Sequence, residues 1–178
     1  RAERLKPVLG VRTSEEVRDV LTALAGSEAS YRPRWSQALS TVADVVSDLH
    51  PSLVPVSGVQ RCGARVAHAS MLMETPEALV LCLRGSKVAR DYLADVDLLQ
   101  EELFEGGAGR DPRLGRCLVH RGFLNRSRGV PVLSLYAHAR RKGKRLVLTG
   151  HSLGAAVACL TAVRLLHALS SAPGAEAA

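Results

Sequence analysis

The chain lacks any continuously apolar run of the roughly 18 to 20 residues that span a bilayer. The nearest approach, residues 153–169, is interrupted by Arg164 and His167. No signal-peptide pattern is read at the visible N-terminus, which says little about where the longer protein resides. Localisation stays open on these grounds, with a lean to the cytoplasm or a membrane periphery. CxxC spacing is also missing: Cys62, Cys82, Cys117 and Cys159 are scattered, with Cys82 in an expected buried strand and Cys159 in an expected helix. They read as reduced packing residues, and neither a disulfide framework nor a metal site is expected. There is no internal repeat, and no low-complexity tract apart from the Ala-rich last residues.

Acidic residues are nearly absent from one segment. Residues 110–145 hold eleven Arg or Lys against the single acid Asp111, a balance of +10, so the remainder of this +7 chain carries −3. Clustered positive charge can hold a protein near anionic lipid, each basic residue contributing on the order of 1 kcal/mol, or near nucleic acid. The segment has no interleaved aromatics and no nucleic-acid motif, so a solvated face is the plainer reading and no nucleic-acid partner is expected. Contact with a lipid surface remains open.

What is present suffices for a core. At 178 residues and 47% apolar the chain can build one domain. It opens on Arg1 and stops soon after a helix, and reads as a portion of a longer protein. Residues 1–60 look helical. Thr13 and Glu16 form a capping box, Val17, Val20, Leu21 and Leu24 share a face, and Gly26 is expected to end the first helix. A second helix carries Trp35, Leu39, Val42, Val46 and Leu49 until His50-Pro51 stops it.

Residues 61–178 read as an α/β unit. Strands are expected at 65–73 and 78–84, separated by the turn-like Glu74-Thr75-Pro76-Glu77. The apolar run Leu79-Val80-Leu81-Cys82-Leu83 is that of a strand buried on both faces in a mostly parallel sheet. Glycines 106, 107 and 109 mark a loop. Pro131 then opens a helix with Val132, Leu135, Tyr136 and Ala139 on one side. Residues 145–149 form a short strand, followed directly by a helix over 153–169.

Between these last two elements lies Gly150-His151-Ser152-Leu153-Gly154. Short Gly/Ser patterns are common, but strand, abrupt turn and immediate helix make this the context of a nucleophile elbow. Leu146-Val147-Leu148 supplies the strand, Gly150 and Gly154 the room, and Ala155-Ala156-Val157-Ala158 a close-packing helix. The helix N-terminus aims its amides at Ser152, and the Leu153 N–H can bind a developing oxyanion. A second donor is expected after an earlier buried strand, where Arg84-Gly85-Ser86 stands.

Four ordered segments carry a resemblance: Leu79 through Ser86, Asp91-Tyr92-Leu93-Ala94-Asp95, Val119-His120-Arg121-Gly122-Phe123, and Thr149 through Gly154. Over about residues 65–169 the chain resembles the class 3 lipases, the fungal-lipase-like family that includes diacylglycerol lipases. That resemblance implies an α/β-hydrolase sheet flanked by helices, with Ser152 as nucleophile and Ser86 and Leu153 framing the oxyanion hole. It implies Asp95 as the acid that holds Ser86, supporting places for Gly85, Gly150, His151 and Gly154, and a short lid at 87–93. The expected substrate is a lipid ester, with no metal or organic cofactor.

The catalytic order of this fold is Ser, Asp, His. After Ser152 the only acid is Glu176 and the only histidine is His167, on the helix that leads away. His120 and His151 sit inside motifs and read as structural, and His50, His68 and His138 have no motif. The chain therefore reads as an α/β-hydrolase cut after the elbow helix, without an assignable base. Two rivals stay open: a lipase-like binding or signalling module, and another α/β-hydrolase such as a thioesterase or peptidase.

Overall fold

The computed structural model describes residues 6–7, 10–32, 34–46, 54–61, 69–86, 99–104 and 117–171. Along the chain run α1 (Ser14–Ala29), α2 (Trp35–Val46), β1 (Val54–Arg61), β2 (Ala69–Glu74) and β3 (Ala78–Leu83). Then follow β4 (Gln100–Glu102), β5 (Leu118–His120), α3 (Arg121–Arg128), α4 (Val132–Arg141), β6 (Arg145–Gly150) and α5 (Leu153–Ser170). The expected lid at 87–93, together with Asp95, Cys62, His50 and His68, lies outside the described residues.

Every residue of β3 is buried, as its unbroken apolar run requires. Its side chains alternate between two cores. Ala78, Val80 and Cys82 pack with Ala25, Ala29, Ala38, Val42, Met71 and Met73 under α1 and α2. Leu79, Leu81 and Leu83 pack with Val130, Val132, Ala139, Val157 and Leu165 under the later helices. The result is helices on both faces of one sheet. Its strand order is β1-β2-β3-β6, with β1–β2 and β2–β3 antiparallel and β3–β6 parallel. The β2–β3 hairpin closes on Thr75, whose N–H donates to the Ala78 carbonyl at 2.8 Å while its Oγ1 accepts from the Ala78 N–H at 2.9 Å. A separate two-stranded ribbon pairs β4 with β5.

Several expectations change. The capping box forms, with the Glu16 N–H donating to Thr13 Oγ1 at 3.1 Å and the Thr13 N–H to Glu16 Oε2 at 3.1 Å. Gly26 does not end α1, which continues to Ala29. The inward face is also rotated: Thr22, Ala25, Gly26 and Ala29 are buried, whereas Val20 and Leu24 are exposed. A helix lying this close to a sheet presents its small residues, so volume outranks hydrophobicity here. The helical reading of residues 1–60 fails at Val54–Arg61, which is strand β1. Val119 and His120 belong to a strand, and Arg121-Gly122-Phe123 begins α3. Helix α5 has 18 residues and a mean hydropathy of 1.6, long and apolar enough by composition to cross a membrane despite Arg164 and His167. It packs instead on the sheet and on α3, where the Arg164 guanidinium donates to the Ser127 carbonyl. Cys82 packs in the core, where burial pushes its thiol well above the usual range, but Cys117 and Cys159 are exposed.

The basic segment is not one bare face. Arg128 pairs with Glu101 at 2.6 Å, Arg145 with Glu15 and Asp19 at 2.7 Å each, and Lys142 and Lys144 both with Glu74. Hydrogen bonds from those two ammonium groups hold the Glu74 carboxyl down at about 2. A depressed carboxylate stabilises the fold above its ordinary pKa, and that stability is lost as pH falls through the folded value. Glu74→Gln is therefore expected to unfold more easily than the wild type at pH 7. The gap should shrink steadily as pH falls from about 4.5 through 2 in urea melts, and a gap at pH 2 as large as that at pH 7 would exclude this account.

Gly26 supports a second prediction. Gly→Ala in an ordinary helix interior stabilises by about 1 kcal/mol. A Cβ at position 26 would run into Cys82 Sγ and the Met73 terminal methyl, and overpacking costs about 1–3 kcal/mol. Gly26→Ala should lower the urea midpoint; a raised midpoint would mean that the α1–sheet contact is looser than described.

Candidate active site

The parallel pairing sets Leu83 opposite Gly150, so β3 and β6 end together and their following turns leave the sheet side by side. After β6 the chain reverses within two residues into α5. Ser152 makes that reversal with φ 56 and ψ −126, and it is the only non-glycine with positive φ among the described residues. Such a backbone costs on the order of 1–3 kcal/mol and persists only where its surroundings impose it. The Gly154 N–H donates to the His151 carbonyl at 3.0 Å and the Ala155 N–H to the Ser152 carbonyl at 2.9 Å, closing the turn.

Close packing imposes the turn. A Cβ at Gly154 would strike the Leu83 carbonyl, and one at Gly150 would strike the backbone of Gly154 and Leu83. The strand end and the helix start are thus in backbone contact, which side chains would prevent. The Ser152 side chain makes no capping hydrogen bond and is exposed. Leu153 is the first residue of α5, so its N–H has no acceptor within the helix. The positive end of the helix dipole lies at the same turn.

Gly85 lies against the elbow. A Cβ there would collide with the His151 carbonyl oxygen and with the Tyr31 hydroxyl. The loop 84–86 and the elbow 150–154, expected from sequence to form two halves of one site, are therefore adjacent. Ser86 is half-buried. Asp95 lies outside the described residues.

Tyr31, just past the end of α1, was not legible as a site residue. Its hydroxyl lies 3.2 Å from His151 Nδ1 and 3.4 Å from the His151 carbonyl oxygen, to which it donates. Its ring stands edge-on to the imidazole, at a 6.0 Å centroid distance and 67°. No local pattern marks it, because the contact joins residues 120 positions apart.

The remaining histidines of this region are used elsewhere. His120 caps α3, accepting from the Phe123 N–H at 3.4 Å, and its ring lies on Phe123. His167 stacks on Phe104 at 4.1 Å. Fifteen helical residues separate it from Ser152, roughly 22 Å at 1.5 Å per residue, well beyond proton-transfer reach. Among the described residues no group of three or more His, Cys, Asp or Glu is placed to hold a metal.

Residues 80–175 match the model of the family Lipase (class 3). No curated protein matches by sequence. Among solved structures, a triacylglyceride lipase from Rhizomucor miehei superposes with a TM-score of 0.61 at 19% identity. A fungal lipase–inhibitor complex, solved in connection with interfacial activation, gives 0.60 at 20%. A triacylglycerol lipase whose catalytic centre is a serine-protease-like triad gives 0.56 at 21%. Each alignment covers 88% of this chain and 57% of the other, so the chain spans little more than half the length of the lipases whose fold it shares.

The strained elbow yields a prediction. Ser152→Gly should relieve a backbone strain of about 1–3 kcal/mol, set against roughly 0.5–1 kcal/mol of added unfolded-state entropy. It is expected to melt higher than Ser152→Ala by about 1 kcal/mol. Equal midpoints for the two variants would mean that the strain at φ 56 is no larger than the glycine entropy term, about 0.5–1 kcal/mol.

Proposed function

The chain belongs to the class 3 lipase family, and from that premise we propose that the whole protein hydrolyses carboxylic esters of lipids, acylglycerols first, through an acyl-enzyme on Ser152. The observation that carries this reading is the Ser152 backbone, held at φ 56 in a strand-to-helix turn packed against the oxyanion-loop strand. An exposed serine at such a turn presents Oγ to substrate while the following amide points to the same place.

In this mechanism Ser152 Oγ attacks the ester carbonyl as its proton passes to a histidine base. The carbonyl oxygen takes up the negative charge and is bound by the Leu153 and Ser86 N–H groups. Collapse expels the alcohol, which leaves with the proton from the base. Water, activated by the same base, then releases the fatty acid and restores Ser152. Loss of one oxyanion donor costs on the order of 10²–10³ in rate. By family resemblance Asp95 holds Ser86 in place. Gly85, Gly150 and Gly154 permit the backbone approaches, and His151 supports the elbow. A diacylglycerol is the finer substrate proposal. For contact with anionic lipid the basic segment retains the exposed Arg140 and Arg141 at the end of α4.

The 178 residues supply the nucleophile and the oxyanion donors, but no base with a partner acid after Ser152. A serine hydroxyl without a base is a poor nucleophile at neutral pH, so these residues alone are expected to show no measurable esterase activity. The test is fluorophosphonate labelling of the full-length protein, the 178-residue chain and full-length Ser152→Ala. Labelling of the full-length wild type alone is the expected result. A folded full-length protein that stays unlabelled would overturn the hydrolase reading and favour a lipase-like binding module, and preferential turnover of thioesters or peptides would reassign the substrate class.

A further inference from the structure

Helix α1 runs beside β6 and touches it in order along its length. Glu15 and Asp19 near its start pair with Arg145, the first residue of β6. In its middle, Thr149 Oγ1 donates to the Ala23 carbonyl at 3.3 Å and lies 2.9 Å from Ser27 Oγ. Beyond its end, Tyr31 meets His151. Twelve residues at helical rise, from Asp19 to Tyr31, span about 18 Å, and six residues of strand, from Arg145 to His151, about 20 Å. The two elements stay in step, so the helix acts as a splint whose free end lands on the elbow.

That end does two things with one hydroxyl. With the proton on His151 Nδ1, the imidazole N–H donates to the Tyr31 oxygen while the Tyr31 O–H donates to the His151 carbonyl. The same oxygen occupies the space over Gly85 that a Cβ would fill. It therefore touches both turns that carry the oxyanion donors, one residue from Ser86 and two from Leu153. Donors must be held to within about 0.5 Å to act on a transition state.

We propose that Tyr31 is a positioning residue for the hydrolysis inferred above: its hydroxyl locks the His151 turn to the Gly85 loop and sets the separation of the Leu153 and Ser86 amides. This rests on the hydrolase reading. It gives a positioning task to the residue just past the end of the N-terminal helix, not to the helix start at Thr13.

Tyr31→Phe in the full-length protein removes the hydroxyl and keeps the ring edge-on to His151. We expect kcat on a short-chain ester and the fluorophosphonate labelling rate to fall about tenfold, with KM within twofold and the melting temperature unchanged. Thr13→Ala, at the far end of α1, should lower the melting temperature and leave both rates at wild-type values. Gly85→Ala, which drives a methyl into the hydroxyl's position, should reduce both rates, and its loss should not add fully to that of Tyr31→Phe. Wild-type rates in Tyr31→Phe would overturn the inference and leave the hydrolase reading intact. So would a rate loss that follows the melting temperature in Thr13→Ala as well, or fully additive losses with Gly85→Ala. An unlabelled wild type would end both.

Discussion

The backbone-to-backbone contact between Gly154 and Leu83 is the constraint on which the rest of this structure depends. It lets α5 begin immediately behind β6, and that abruptness forces Ser152 to φ 56. The parallel register from Ala78↔Arg145 to Leu83↔Gly150 then brings the turn after β3 beside the turn after β6. Each step leaves little freedom to the next, because buried strands fix their register by which side chains face each core. The site is a consequence of sheet geometry, with the serine lifted out of the sheet by packing beneath it.

The same constraint explains the use of small residues on the other face. Helix α1 approaches the sheet through Ala25, Gly26 and Ala29, and leaves Leu24 in solvent. A bulkier interface would hold the helix farther off, and Thr149 would lose its bonds to Ala23 and Ser27. The N-terminal helices and the sheet thus share one core. Helix, strand and elbow are aligned over about 20 Å, with charge pairs at one end, a half-buried hydroxyl pair in the middle and the Tyr31–His151 contact at the other.

Charge follows a similar economy. The excess of Arg and Lys in residues 110–145 suggests a continuous basic face, yet Lys142, Lys144, Arg145 and Arg128 each find a carboxylate distant in sequence. The acids that neutralise them lie on α1, β2 and β4. Three of those pairs fasten elements to one another at the end of the sheet opposite the elbow, so the segment has a structural task before any role at a lipid surface.

Local order was legible in the sequence wherever a short-range rule governs it. Thr13 and Glu16 cap α1 because a side chain reaches an amide three residues away. The run Leu79 to Leu83 is a doubly covered strand because only burial on both faces suits five apolar residues in succession. The elbow declared itself because strand, Gly-x-Ser-x-Gly and helix are contiguous. The extent of α1, its inward face, strand β1 and the role of Tyr31 were not legible, since each depends on what lies across the fold. Gly26 reads as a stop signal until Cys82 is above it, and Leu24 reads as core until the helix is seen pressed on a sheet by its alanines. By itself the sequence determined the capped start of α1, the doubly covered strand β3 and the strand–turn–helix around Gly150 to Gly154, because those patterns reside in neighbouring positions. Only the tertiary structure decided which turns meet, which face of a helix is buried and which hydroxyl binds the elbow, because those contacts form between residues that only close packing brings together.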